Sequence, residues 1–162
     1  MPLRRQNLSG PFNGLLEKIG FIRRAYEQSL SHPEVRAFAE NAAGRGPRPI
    51  QVARLFSVLR DVTNYIKDPV GKEYTKAPWV IVEEMRRRGC WSGDCDDQTS
   101  INYALLKSIG IPSYIKVGWF NQDENPGHIW VMANPGSGWV AFDTTTSALG
   151  KEHPFTKSRL YP

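Results

Sequence analysis

Residues 89–110 read GCWSGDCDDQTSINYALLKSIG. A helix begins inside this stretch, and a cysteine stands at its start. Asp94 is a short polar side chain placed to cap, Asp97 follows at capping-box spacing, and Gly110 with Pro112 supplies the stop. Cys95 then falls in the first turn, where unpaired main-chain N–H groups and the helix dipole favour a negative sulfur. Three aspartates crowd the same turn, Asp94, Asp96 and Asp97, and their charge works against a thiolate. The dipole, at about 0.3–1 kcal/mol when exposed and ~2 kcal/mol when partly buried, does not outweigh them alone. A cationic partner for Cys95 is therefore expected elsewhere in the chain.

Three histidines are available, His32, His128 and His153. His32 stands between Ser31 and Pro33 at a helix start and reads as a surface residue; His153 lies in the tail segment GKEHPF. His128 opens HIWVMA (128–133), a strand, and strand ends are rigid mounts for a base. Neutral His128 can take the thiol proton, and the resulting imidazolium–thiolate pair lowers a cysteine pKa. Asp143 ends the next strand, WVAFD (139–143). A hairpin that sets His128 opposite Asp143 also sets Ala133 opposite Gly138 and leaves NPGS (134–137) as a four-residue connection. The two Cβ atoms would then lie about 4.5–5.5 Å apart. A slip of one residue would turn them to opposite faces. A Cys95–His128–Asp143 triad is expected, conditional on that hairpin.

Upstream, the pattern is helical. GLLEKIGFIRRAYEQSL aligns Leu15, Ile19, Ile22 and Tyr26 on one stripe. SHPEVRAFAENAAG follows, with Ser31 as N-cap, Pro33 in the first turn and Gly44 past the end. IQVARLFSVLRDVTNYI aligns Val52, Leu55, Phe56, Leu59, Val62 and Ile66. KDPVGKEYTKAPW reads as a loop and PWVIVEEMRRRG as a short helix, whose Arg86, Arg87 and Arg88 suit the negative end of its dipole. Downstream the period shortens to that of strands: SYIKVGWF, HIWVMA and WVAFD, separated by NQDENPG and NPGSG. Helices first and an antiparallel sheet last make an α+β fold. The organisation expected is one domain over 1–162: an N-terminal arm (1–14), a mainly helical part (15–88), the nucleophile helix (89–110), antiparallel strands (113–146) and a C-terminal tail (147–162).

The chain has 162 residues, 40% hydrophobic and 23% charged, enough to bury about two thirds of its extended surface in one core. No apolar run approaches the ~18 residues of a membrane span, and MPLRRQNLSGPFNGLL lacks the apolar centre of a secretory signal. The expected setting is reducing: cytoplasmic, or a virion if the chain is phage-encoded. The charge of +5 is uneven, with sixteen Lys/Arg against nine Asp/Glu in residues 1–88 and five against seven thereafter. No aromatic-interleaved basic motif accompanies that surplus, so nucleic acid is not an expected partner and the basic half reads as a solvated face. Zinc on Cys90, Cys95, His128 and His153 would need ligand spacings unlike any compact zinc motif. Cys90 reads as a buried small hydrophobe, against the alternatives of a resolving thiol or a disulfide to Cys95. Asp96 and Asp97 read as stabilisers of the helix start, and the tryptophans as core, with Trp119 and Trp130 placed to line a cleft.

GDCDD before a helix, YALLKSIGIPSYIKVG after it, then GHIWV and GWVAFDTT, resemble the transglutaminase-like superfamily in its bacterial and phage cysteine-peptidase branch. The resemblance covers roughly residues 60–155, and YIKDPVGKEYTKAP is similar to the segment preceding the cysteine in that branch. It implies a papain-like α+β core, a nucleophile at Cys95, a base at His128, an orienter at Asp143, and no metal or organic cofactor. It also implies the Cys95 main-chain N–H as one oxyanion donor; candidates for the second are the indoles of Trp91 and Trp79 and the amide of Asn64. The expected activity is hydrolysis of a peptide or side-chain amide through a thioester. Alternatives are a protein-glutamine acyltransferase and a non-catalytic binding or structural module, such as a virion component whose basic half and arm dock on an acidic protein.

Overall fold

The structure, a computed structural model, describes residues 5–7, 11–69 and 74–162. Helices α1 (Pro11–Ser29), α2 (Pro33–Ala43), α3 (Arg48–Val62) and α4 (Pro78–Arg88) precede the central helix α5 (Cys95–Ser108). A four-stranded antiparallel sheet follows, built from β5 (Ser113–Trp119), β6 (His128–Ala133), β7 (Val140–Phe142) and β8 (Lys157–Tyr161) in the order β7-β6-β5-β8. Four further short strands bracket the start of α5: β1 (Arg5–Asn7) pairs antiparallel with β3 (Tyr74–Lys76), and β2 (Thr63–Tyr65) pairs parallel with β4 (Trp91–Gly93). The α+β order read from the sequence is the order observed.

Helix α5 is enclosed on every side. Each residue from Asp96 to Leu106 is buried, with α1 and α2 against one flank and β6 against the other. Its apolar half joins Ile19, Ile22, Val52, Leu55, Leu59, Ile115 and Val131 in the core. Most of its polar half is satisfied within the fold, as burial demands, with Asn102 Oδ1 the exception. Ser100 Oγ donates to Lys76 O, Thr99 Oγ1 to Cys95 O and Ile129 O, and Asn102 Nδ2 to Thr144 Oγ1, which itself donates to Gln98 Oε1. The polar run QTSIN thus ties the helix to β3, to β6 and to the segment after β7.

Several boundaries differ from the sequence reading. Helix α2 is preceded by His32, not capped by Ser31, whose hydroxyl instead closes the last turn of α1 on Gln28 O. Helix α3 stops at Val62, and Ile66 is exposed rather than on the stripe. Thr63 leaves the helix to pair with Trp91; its hydroxyl donates back to Leu59 O and accepts from Trp91 Nε1, a long-range contact that overrides the helical period. Strand β3 lies in what reads as a loop. Strand β8 lies in what reads as a tail, and its exposed side chains give no alternation to detect. The docking arm of residues 1–14 lies outside the described residues except for the backbone of β1 and the start of α1. Among the described residues, no helix is long and apolar enough to cross a membrane.

The core assignment sets two substitutions apart. Leu105→Ala empties a fully buried site beneath α5 and is expected to cost about 2–5 kcal/mol of unfolding free energy in urea. Leu16→Ala, on the exposed face of α1, is expected to stay within about 0.5 kcal/mol of the parent.

Candidate active site

The site starts from the cap of α5. Asp94 Oδ1 accepts from the amides of Asp96 and Asp97 at 3.0 and 3.3 Å, while Asp97 Oδ2 accepts from the Asp94 amide at 3.2 Å. This is the reciprocal box that the spacing predicts. Asp97 Oδ1 reaches further, taking the Lys76 amide at 2.6 Å. Gly93 is required beside it, because a Cβ there would lie 2.6 Å from both Asp97 Cβ and the Trp91 ring. The cap thereby fixes Cys95 as the first residue of α5.

Cys95 is partly open to solvent and unbridged, and so is Cys90. Its Sγ lies 3.7 Å from Asp96 Oδ1, and Asp96 Oδ2 pairs with Lys18 Nζ of α1 at 2.6 Å. The balance of charge runs opposite to a preformed thiolate. Burial, then Asp96, then Asp94, pushes the Cys95 thiol well above its ordinary range; the Lys18 charge and the Ile129 main-chain N–H oppose them without prevailing. Burial and the acids thus outweigh the Lys18 charge and the Ile129 amide, and favour the protonated form of the sulfur.

The Ile129 amide brings β6 to the sulfur, and His128 is the residue before it. His128 Nε2 lies 2.6 Å from Asp143 Oδ2, with both side chains buried. Because an ionised carboxylate only accepts, Nε2 carries the ring proton and Nδ1 is the nitrogen left for a substrate or thiol proton. Burial works to raise the Asp143 pKa, but the hydrogen bond and charge of His128, with the Thr145 hydroxyl and amide, bring it below the usual carboxylate value. Asp143 Oδ1 accepts from Thr145 N at 3.0 Å and from Thr145 Oγ1 at 2.7 Å, and Thr146 Oγ1 donates to Asp143 O. The adjacent Thr144 is held by Gln98 and Asn102 of α5. One helix therefore anchors both Cys95 and the turn that carries Asp143.

The hairpin register differs from the predicted one by two residues. Val131 faces Phe142 and Ala133 faces Val140, so the β6–β7 connection runs over residues 134–139 and Asp143 lies just past the strand. A shift of two preserves the face on which a side chain projects. His128 and Asp143 therefore still meet, diagonally rather than directly opposite.

The remaining candidates scatter. The Trp91 indole N–H is engaged by Thr63 in the core. Trp79 is buried on α4 and stacks on His32 at 4.4 Å, so His32 is a packing residue rather than a free surface one. Trp130 is buried beside His128, with centroids 5.3 Å apart, and a Cβ on Gly118 would strike it at 2.9 Å. Asn64 is exposed on β2. Its neighbour Tyr65, half exposed on β2, was not singled out by the sequence reading, yet partial burial and then Cys95, Asp94, Asp96 and Asp143 push its phenol up to about 12. A hydroxyl in that field stays a donor. Only the pairing of β2 with β4 could have revealed it. Two of the four residues weighed for zinc, His128 and His153, do come together, with Asp143 rather than with either cysteine.

Two measurements test these electrostatics. Asp94, although a cap, has its pKa raised to about 8 by burial first and then by Asp96, Asp97 and Asp68. A folded pKa above the unfolded one contributes stability present at low pH and lost as pH rises through about 8. Asp94→Asn keeps a capping oxygen without the charge. Its Tm relative to the parent is therefore expected to improve from pH 5 to pH 9. For the thiol, iodoacetamide labelling of Cys95, read by peptide mapping to separate it from Cys90, is expected to move to lower pH in Asp96→Asn and to higher pH in Lys18→Met.

A family model described as the transglutaminase-like superfamily matches residues 36–144. No curated protein matches the sequence. Among solved structures, calcium-bound LapG of Legionella pneumophila is similar at 20% identity and a TM-score of 0.57, with 86% of each chain covered. A candidate cysteine protease of Cytophaga hutchinsonii is similar at 18% identity and a TM-score of 0.51, over 72% of this chain and 38% of that one. A candidate protease of Parabacteroides distasonis gives 12% and 0.56, over 76% of this chain and 25% of that one. The chain thus spans well under half of those last two proteins, and at these identities the likeness is one of fold. With a family model matching more than half of its length across Cys95, His128 and Asp143, the chain belongs to the transglutaminase-like superfamily.

Proposed function

We propose that the chain is a cysteine-dependent hydrolase of peptide or side-chain amides, with Cys95 as nucleophile, His128 as base and acid, and Asp143 as orienter. The observation that carries the reading is the buried 2.6 Å contact of His128 with Asp143, set one residue from the amide that reaches the Cys95 sulfur. Because the thiol rests neutral, its proton passes to His128 Nδ1 as Sγ forms its bond to the substrate carbonyl carbon. The negative oxygen that develops is received by the Cys95 amide at the start of α5 and by the Tyr65 hydroxyl. His128 then protonates the departing nitrogen, the C–N bond breaks, and a thioester remains. Water, deprotonated by the same imidazole, attacks the thioester and releases the acid with the free thiol. The substrate on this reading is a peptide or protein.

The test incubates the chain with glutamine-containing and unbiased peptide pools and a labelled primary amine. Release of ammonia or new peptide ends, lost in Cys95→Ala and His128→Ala, is the expected result. Incorporation of the amine without such release overturns hydrolysis in favour of transfer. Asp143→Asn is expected to lower kcat by up to roughly 10⁴-fold through loss of the correct tautomer. Tyr65→Phe is expected to lower it by about 10²-fold with KM little changed.

A further inference from the structure

His128 at the head of β6, Asp143 after β7 and His153 in the segment leading to β8 converge, and one ligand atom from each lies within 4.8 Å of the others. The atoms are the Nε2 nitrogens and a carboxylate oxygen: His128 Nε2 is 2.6 Å from Asp143 Oδ2, and His153 Nε2 is 3.9 Å from the same oxygen. The rings meet edge to face with centroids 4.7 Å apart. Thr145 Oγ1 fills the space between them, 2.9 Å from His153 Nε2, 3.3 Å from His128 Nε2 and 2.7 Å from Asp143 Oδ1. A three-residue triad leaves His153 without a role. We propose that His128, Asp143 and His153 form a binding site for a divalent transition metal of the zinc type, and that its occupation holds Cys95 inactive.

The donor set fits such an ion. Two imidazole nitrogens and one carboxylate oxygen, with a fourth position open to water or the Thr145 hydroxyl, suit borderline metals such as zinc. Tetrahedral ligands about 2.0–2.1 Å from zinc stand roughly 3.4 Å apart, so the His128–Asp143 contact opens and His153 closes in, each by on the order of an ångström. His153 has that freedom, being 40% exposed and lining a 390 Å³ pocket with Phe120, Asn121 and Phe155. Outer partners are in place as well: the Thr145 amide holds Asp143, and Trp130 shields the His128 face. Glu152, next in sequence, is engaged by Lys116 and does not compete.

Metal on Nε2 leaves the neutral ring with its one proton on Nδ1, where it can no longer accept the thiol proton. The inhibitory half of the proposal rests on His128 being the base for Cys95; the binding half does not. Titration of the full chain with Zn²⁺ by calorimetry and with Co²⁺ by visible absorption is expected to show one site. That site persists in Cys95→Ala with no sulfur-to-cobalt charge-transfer band, and weakens about tenfold or more in both His153→Ala and His153→Gln. Zn²⁺ is also expected to slow Cys95 alkylation reversibly in the parent, with the ratio of rates with and without metal returning to near unity in both His153 variants. Undiminished binding in those variants, or loss of binding in Cys95→Ala, overturns the site. Binding as described, with alkylation dependent on His128 yet unmoved by Zn²⁺, overturns the inhibition alone. Alkylation indifferent to His128→Ala without metal instead sinks the catalytic reading, and leaves the metal site to stand on the titrations.

Discussion

The reciprocal cap between Asp94 and Asp97 is the constraint on which the rest of the structure depends. It ends β4, starts α5 and puts Cys95 at the first helical position. The same Asp97 takes the Lys76 amide, so the strand before α4 is registered on the helix start. From there α5 runs through the centre of the fold, and its polar face reaches the turn after β7 through Gln98, Asn102 and Thr144. Cys95 and the turn that carries Asp143, 48 positions apart in the chain, are both tied to one buried helix. A misplaced cap would move both.

That economy has an electrostatic consequence. Burying several carboxyls around a helix start favours their protonated forms, which is why Asp94 and Asp97 stand high, at about 8 and about 6. Burial, followed by the charge of Asp96 and then Asp94, likewise raises the Cys95 thiol. Lys18, reaching from α1 to Asp96, is the counter-charge that keeps the burden from growing. That balance of burial and charge favours a neutral thiol over a standing ion pair. On the proposed reading, a ligand that took His128 Nε2 from Asp143 would remove the acceptor at Nδ1, and His153 stands beside the same carboxylate.

Much of the site was legible because its signals are local or depend only on parity. A short acceptor with a carboxyl three residues on marks a helix start whatever lies around it, since the orphan amides that need capping are within the same turn. The period-two alternation of HIWVMA and WVAFD decides which residues share a face, and a register two residues off gives the same answer. The place of Tyr65 beside the Cys95 end of α5 was not legible, for the opposite reason. Tyr65 sits where the stripe of α3 would continue, and only pairing with the distant Trp91–Gly93 segment converts that stretch to strand.

The sequence by itself determined the class of fold, the start of α5, the place of Cys95 and the common face of His128 and Asp143, because main-chain hydrogen-bonding needs and side-chain period are written within a few residues. The tertiary structure alone decided the hairpin register, the pairing of β8, the Lys18–Asp96 contact, the protonated resting thiol and the meeting of His153 with the His128–Asp143 pair. Each of these depends on how far elements approach one another and on how much water their packing removes, and no local pattern carries either quantity.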